Sequence, residues 1–191
     1  APSGANSQPW EFIVVKDKAV RQRIVPIVWE GMRINQKLEL TREKGMQHPN
    51  AERNPEDFGF KDAPVFILVV GDHRARQASV LAAQVGPHSY LSGMANAFLY
   101  MHLAATTLGL ASQWLSATSQ PLCQTLLKQE LGIPQEFDVY DMFCLGYAAQ
   151  TPRPRRVREL EGMVHRDCYD MSKYRSDAEV RKYSREIQLG H

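Results

Sequence analysis

The first fifteen residues read Ala1-Pro2-Ser3-Gly4-Ala5-Asn6-Ser7-Gln8-Pro9-Trp10-Glu11-Phe12-Ile13-Val14-Val15. Two textures meet in this stretch. Residues 1–9 are rich in Pro, Gly, Ser and Asn, which punctuate chains rather than extend them, so they predict a loop. Trp10–Val15 is an apolar, β-branched run and predicts a strand. The loop admits two readings. It is a surface connection before a strand, or it is a binding segment. Its small residues would let backbone amides approach a flat ligand closely. Ser3, Asn6 and Gln8 offer donors and acceptors to the edge of such a ring.

Downstream, Asp17 is placed to cap a helix that carries Val20, Ile24, Ile27, Val28, Gly31 and Ile34 on one side. Pro26 should kink or break it, having no N–H to give. Residues 45–62 are polar and hold Gly45, Pro49, Pro55 and Gly59, which predicts a long loop of the kind that often forms a lid. Pro64–Val70 is a continuous apolar run and fits a strand buried on both faces. Ala111–Ala117 reads as a strand or an extended loop. Ser119 and Pro121 open a helix as cap and first-turn residue, and Gly132 with Pro134 ends it. Val139–Ala148 is a further strand. Ser176 and Glu179 have capping-box spacing for a last helix over 177–187. The order of strands and helices predicts a mixed α/β class.

Residues 77–127 contain no Asp, Glu, Lys or Arg. Within them Ser89–Leu110 reads as one helix of roughly 33 Å at 1.5 Å per residue, with Gly109 placed to terminate it. Its length and lack of charge suit a membrane span. Yet it holds Ser89, Ser92, Asn96, His102, Thr106 and Thr107 and has no flanking aromatic belt, so a helix buried all round is the better reading. A chain of 191 residues has little interior to surround such a helix. A homodimer interface would supply the second buried face, and Gly93, Ala95, Ala97, Ala104 and Ala105 would permit close packing.

The bulk numbers set bounds. Hydrophobic residues at 43% and charged residues at 23% describe a folded globular chain, expected as one domain over 1–191. A net charge of +2 does not argue for nucleic acid or an anionic membrane as a partner. Cys123, Cys144 and Cys168 are widely spaced, and neither they nor the histidines form a ligand pattern. No disulfide framework or metal is expected, and cytoplasmic thiols are the simplest reading. His102 is read as a satisfied core or interface histidine. Arg153, Arg155, Arg156 and Arg158 form a basic run that is either a solvated tail or an anion site.

The opening segment resembles the APS-x-x-N-x-QPW-x-F-x-VV motif of the nitroreductase family of flavoproteins. Leu108-Gly109-Leu110-Ala111-Ser112-Gln113-Trp114-Leu115 resembles the segment that follows that family's long central helix. Leu145-Gly146-Tyr147 resembles its last core strand, and Pro154-Arg155-Arg156-Val157 the basic segment beyond it. The resemblance covers residues 1 to about 165. It implies that Pro2, Ser3, Gly4 and Asn6 contact FMN with Gln8 nearby, and that Trp114, Leu115 and Ser116 lie beside the reactive flavin edge. It further implies that Arg155 and Arg156, or Arg158 beside them, hold the phosphate, and that the chain forms an α/β (α+β) three-layer fold with a central mixed sheet flanked by helices, its long helix joining an intertwined homodimer. Arginine suits the phosphate because its fork gives two charge-assisted bonds. The family's Arg-Arg-Ser-x-Arg segment, which precedes APS, is not in this sequence, so an N-terminal segment is expected to be missing and FMN affinity to be poor without it.

Val14–Ile24 and Glu30–Asn35 are similar to the iodotyrosine deiodinase and flavin-destructase branch, with its lid insertion, expected here over 29–61. In deiodinases a Glu, a Tyr and a Lys grip an amino-acid zwitterion. The corresponding positions hold Met32, Gln36 and Asp57, so that substrate is not supported. Trp29, Met32, Phe58 and Phe60 either cover the core or reach over the flavin as a lid for a small aromatic. The C-terminal extension is placed at 150–191. The family implies chemistry carried by FMN, with NADH or NADPH as donor and a nitroaromatic or quinone as acceptor. A dehalogenase or flavin-destructase, or a non-catalytic binding protein sharing the fold, are the alternatives.

Overall fold

A computed structural model describes residues 1–48, 50–78, 82–151 and 157–189. The chain forms two compact units: residues 1–35 with 54–149, and residues 36–53 with 150–191.

The first unit is built on a four-stranded sheet of β1 (Trp10–Val15), β2 (Val65–Asp72), β3 (Ala111–Leu115) and β4 (Phe137–Gly146), ordered β1-β2-β4-β3. Every neighbouring pair is antiparallel, which corrects the expected mixed sheet. The reason lies in the connections. Helix α1 (Lys18–Leu40) is followed by a long return segment, so the chain crosses twice and β2 starts where β1 ended. Helix α2 (Ala82–Thr107) does link two parallel strands, β2 and β3, but β4 lies between them and opposes both.

Strand alternation sorts the side chains onto two layers. Phe66, Leu68, Val70, Met142 and Cys144 join a core with Ile24, Val25 and Val28 of α1 and Leu127 of α3 (Pro121–Leu131). Val69 and Phe143 join Tyr90, Met94, Phe98 and Ala105 of α2 on the other face. Gly31 lets α1 approach its neighbours: a Cβ there would stand 2.3 Å from Cys123 Sγ and 2.8 Å from the Ala117 carbonyl oxygen.

Several local expectations hold. Asp17 Oδ1 accepts from the Val20 amide at 2.9 Å. Gly109 and Gly132 take left-handed φ values of 69° and 65° at helix ends, where a side chain would be strained. Others need correction. Pro26 does not break α1, since it forfeits one bond to a carbonyl on an exposed turn. Helix α2 begins at Ala82, not Ser89, and contains Pro87. Gln120, not Ser119, occupies the cap of α3, and the Ser119 hydroxyl donates to the Ser116 carbonyl at 2.7 Å. Strand β4 starts and stops two residues earlier than expected. Among the described residues no helix is long and apolar enough to cross a membrane.

In the second unit, the Ser176 and Glu179 side chains form the expected reciprocal cap of α4 (Asp177–Leu189), with the Ser176 amide donating to Glu179 Oε2 at 2.7 Å.

Candidate active site

The register places the opening loop at one end of the sheet and the end of β3 partway along it, with Trp114 level with Val14 and Leu115 level with Ile13. Trp10 opposes Gly71 and Gly71 opposes Asp138, while β3 runs toward the same end and stops at Leu115 opposite Met142. The two segments lie on opposite edges, β1 and β3, three strand spacings or about 14 Å apart across the sheet, with Leu115 a further three residues along it from Trp10.

The loop before β1 is held tightly from within and from α2. The Ser3 hydroxyl accepts from the Gln8 amide at 3.0 Å. The Ser3 and Gly4 carbonyls accept from the Asn6 and Ser7 amides, both at 3.1 Å. Asn96 Nδ2 of α2 donates to the Pro2 carbonyl at 3.1 Å. Gly4 presses on α2 so closely that a Cβ would meet Ser89 Cβ at 2.7 Å, so its smallness is used for packing on the helix. Ala5, Asn6 and Gln8 all take positive φ, at 51°, 52° and 42°. Each such non-glycine residue costs roughly 1–3 kcal/mol, and strain of this kind gathers at ligand-binding segments. The loop therefore leaves the Asn6 and Gln8 side chains exposed on a rigid, strained frame, which fits a flat heterocycle with polar edges.

At the other edge, Trp114 is 44% exposed on the α2 face. Its ring stacks on Phe98 with centroids 4.4 Å apart, and its Nε1 donates to Asp141 Oδ2 at 2.6 Å. Leu115 turns into the opposite core, and Ser116 is exposed at the strand end. His102 is satisfied, as expected: its Nδ1 lies 2.7 Å from Ser112 Oγ and its ring 4.7 Å from Phe143.

Because β3 stops at Met142, the first residues of β4 lack a strand neighbour on that side. The gap is a cavity of about 450 Å³ bordered by Ser116, Ser119, Gln124, Arg76, Tyr90 and residues 138–141. Tyr140 is the bulged residue, since Val69 pairs with Asp141 and Val70 with Val139. Arg76 Nη2 donates to Asp138 Oδ2 at 2.9 Å, and Tyr90 donates to the same carboxylate at 3.2 Å and to the Gly71 carbonyl at 2.9 Å. Burial and Asp138 push the Tyr90 phenol well above its ordinary value.

Sequence reasoning missed Asp141. It is 6% exposed, and its Oδ1 has no hydrogen-bond partner among the described residues. Burial pushes its carboxyl up to about 6, and the Trp114 hydrogen bond only partly offsets this. A raised folded value means a proton is bound more tightly in the native state. Stability from this group is thus complete below about 3.8 and is lost as pH rises through about 6. Asp141→Asn, whose oxygen keeps the Trp114 bond, is expected to melt roughly 6–12 °C above the unmodified chain near pH 8 and level with it near pH 4. Thermal melts across that range check it, and a pH-independent difference would contradict it.

The remaining expected site residues divide. Phe60, expected in the lid, is 1% exposed and packs against Phe66 in the core. Trp29, Met32 and Phe58 are half-buried and pack against the same cluster, the covering role. Arg155 and Arg156 lie outside the described residues. Arg158, beyond them, donates to the Gly162 carbonyl at 3.0 Å within the second unit.

The Nitroreductase family model matches residues 1–147. The chain is 28% identical over 162 residues to the 5,6-dimethylbenzimidazole synthase of Rhodospirillum rubrum, covering 84% of this chain and 71% of that one. It is 54% identical to iodotyrosine deiodinase 1 of Sus scrofa over 35 residues, 18% of this chain and 12% of that one. The solved FMN-dependent nitroreductase of Clostridium difficile superposes with a TM-score of 0.57 at 21% identity, covering 88% of this chain and 81% of that one; a likeness at that identity speaks for the fold. The chain belongs to the nitroreductase family. It is, with that family, an oxidoreductase of the flavoprotein class.

Proposed function

We propose that this protein is an FMN-dependent oxidoreductase that draws a hydride from NADH or NADPH and reduces small, flat, electron-poor substrates of nitroaromatic or quinone type. The supporting observation is the strained loop Pro2–Gln8, with the Asn6 and Gln8 side chains exposed on it, in a chain that matches the family over residues 1–147. When bound, the flavin supplies the hydride acceptance and donation. The exposed amides of Asn6 and Gln8 would orient its ring edge, and Arg155 and Arg156 would hold its phosphate. For a quinone, each turnover moves one hydride from the nicotinamide and takes one proton from solvent, giving hydroquinone and the oxidised nicotinamide.

The long exposed stripe on α2 supports a homodimer, and the reading is of a single-domain cytoplasmic enzyme. Donor and acceptor use one site in turn, so initial rates should follow ping-pong kinetics. An anaerobic screen of nitroaromatics, quinones and halophenols with each nicotinamide tests this. Parallel double-reciprocal lines with a nitroaromatic or quinone are expected, and intersecting lines would count against a shared site. A second reading, a dehalogenating or flavin-consuming enzyme, has support on its dehalogenating side in the 35-residue likeness to iodotyrosine deiodinase 1. It requires loss of the flavin in air or halide release in the same screen.

A further inference from the structure

The second unit carries a cavity of its own, of about 390 Å³, to which the reductase reading gives no role. Arg158, His165, Tyr169, Lys173, Tyr174 and Arg175 border it, and among the described residues no Asp or Glu does. The Arg, Lys and His side chains are half-buried, and Tyr169 and Tyr174 are 56% and 61% exposed, so a ligand reaches all of them from solvent. Three full positive charges beside aromatic rings, in a pocket without an acid, call for an anion that also carries a flat apolar face.

Backbone carbonyls hold two of the cations near each other. Arg158 Nη2 donates to the Gly162 carbonyl at 3.0 Å, and Lys173 Nζ donates to the Val164 carbonyl at 2.6 Å. Those carbonyls belong to residues two apart, which keeps them within about 7 Å of one another. Each cation spends one donor there and keeps others, since a guanidinium has five N–H groups and an ammonium three. The Arg175 guanidinium lies over the Tyr183 ring, 5.4 Å from its centroid, a stacking that leaves the edge of its fork for hydrogen bonds. Two carboxylates stand close to these cations, and other groups hold both. Asp170 Oδ1 accepts from the Ser172 amide at 2.9 Å and hydroxyl at 2.7 Å, with Oδ2 4.0 Å from Lys173 Nζ. Glu179 closes the cap of α4. The aromatic side is also fixed: His165 stacks on Tyr169 with centroids 4.2 Å apart, and its Nδ1 accepts from the Asp170 amide at 3.0 Å, which leaves its proton on Nε2.

We propose that this cavity binds a small aromatic phosphate, separately from the flavin. Arg158, Lys173 and Arg175 take the phosphate oxygens, and the ring lies against Tyr169 or Tyr174. About 390 Å³ is room for a single ring with its phosphate. A nucleoside monophosphate and a simple aryl phosphate share this chemistry. The proposal does not depend on the reductase reading, because every group it uses belongs to the second unit.

Calorimetric titration of the full chain, first saturated with FMN, tests this with adenosine monophosphate, phenyl phosphate, adenosine and inorganic phosphate. At least one aromatic phosphate is expected to bind about 10- to 100-fold more tightly than adenosine or inorganic phosphate, the ratio that hydrogen bonds to a charged group give. Tighter binding of adenosine monophosphate marks a nucleotide as the occupant, and equal binding of the two marks a simple aryl phosphate. Arg158→Gln with Arg175→Gln should weaken the aromatic phosphate about 10- to 100-fold, toward the level of adenosine. Arg175→Gln alone, which leaves the Gly162 contact of Arg158 in place, should weaken it about 10-fold and serves if the double variant does not fold. Lys182→Gln removes an equal charge from α4 outside the cavity and should leave the affinity unchanged. Aromatic phosphates that bind no better than inorganic phosphate overturn the proposal. So does an affinity that survives Arg175→Gln, one that Lys182→Gln lowers as much, or one that FMN saturation abolishes.

Discussion

Phe98→Ala is expected to destabilise the first unit by about 3–5 kcal/mol, the range for deleting a fully buried phenylalanine. Phe98 is 0% exposed at the centre of the α2 layer. Its ring stacks on Trp114 at 4.4 Å, meets Phe143 edge-on at 5.5 Å, and lies 5.3 Å from His102 and 6.2 Å from Tyr140. Aromatic pairs in such arrangements contribute beyond their buried area, and the partners here come from α2, β3 and β4. The substitution would open a void under Trp114 and so loosen the strand end that the candidate site is built on. Urea unfolding measures the loss. A change below about 1 kcal/mol would mean that this layer relaxes freely and does not position the site.

The second large effect concerns assembly. Helix α2 buries Tyr90, Met94, Phe98 and Ala105 and leaves Leu91, Leu99, Tyr100 and Leu103 exposed on its other side, Leu103 at 55%. On the sheet, Phe12 and Val14 of the edge strand pair with Val69 and Ile67 and are exposed on the same layer. Large apolar side chains exposed together on one layer mark an interaction site. The proposed homodimer covers it, and each leucine buried there contributes about 1.5–3 kcal/mol. Leu99→Glu with Leu103→Glu removes two such contributions per copy and places carboxylates in an apolar seam. Light scattering should show the unmodified protein at twice its 21.7 kDa chain mass and the double variant at the single mass or insoluble. An unmodified chain that stays monomeric at micromolar concentration would remove the dimer from the account.

The elements whose burial is written into local sequence were legible. Val65–Val70 is apolar without alternation because helices cover both sheet faces, and it is a strand. Asp17, Gly109, Gly132 and the Ser176–Glu179 pair mark helix ends because a cap needs only its own turn. The start of α2 was not legible. Pro87 looks like a boundary, yet it costs the helix only the bond to residue 83, and the helix continues back to Ala82. The antiparallel sheet was hidden as well, since strand direction depends on how far the 41–64 return segment carries the chain.

The site divides in the same way. The opening loop and Trp114 carry a local pattern, and that pattern is what marks them as candidates. Asp141 stands between Tyr140 and Met142 in an apolar strand, and nothing near it in sequence announces a role. Its significance comes from where β3 ends, at Leu115, which leaves the start of β4 beside a cavity. The one signal was an acid inside a run otherwise fit for a core.

The central claim, a flavin oxidoreductase fed by a nicotinamide, is tested most directly by titrating FMN into the purified chain under nitrogen and then adding NADH or NADPH. The account predicts a yellow protein whose visible flavin band bleaches with the nicotinamide and returns on addition of a nitroaromatic or quinone. A protein that stays colourless and takes up no FMN, or one whose bound flavin neither nicotinamide bleaches, would contradict it.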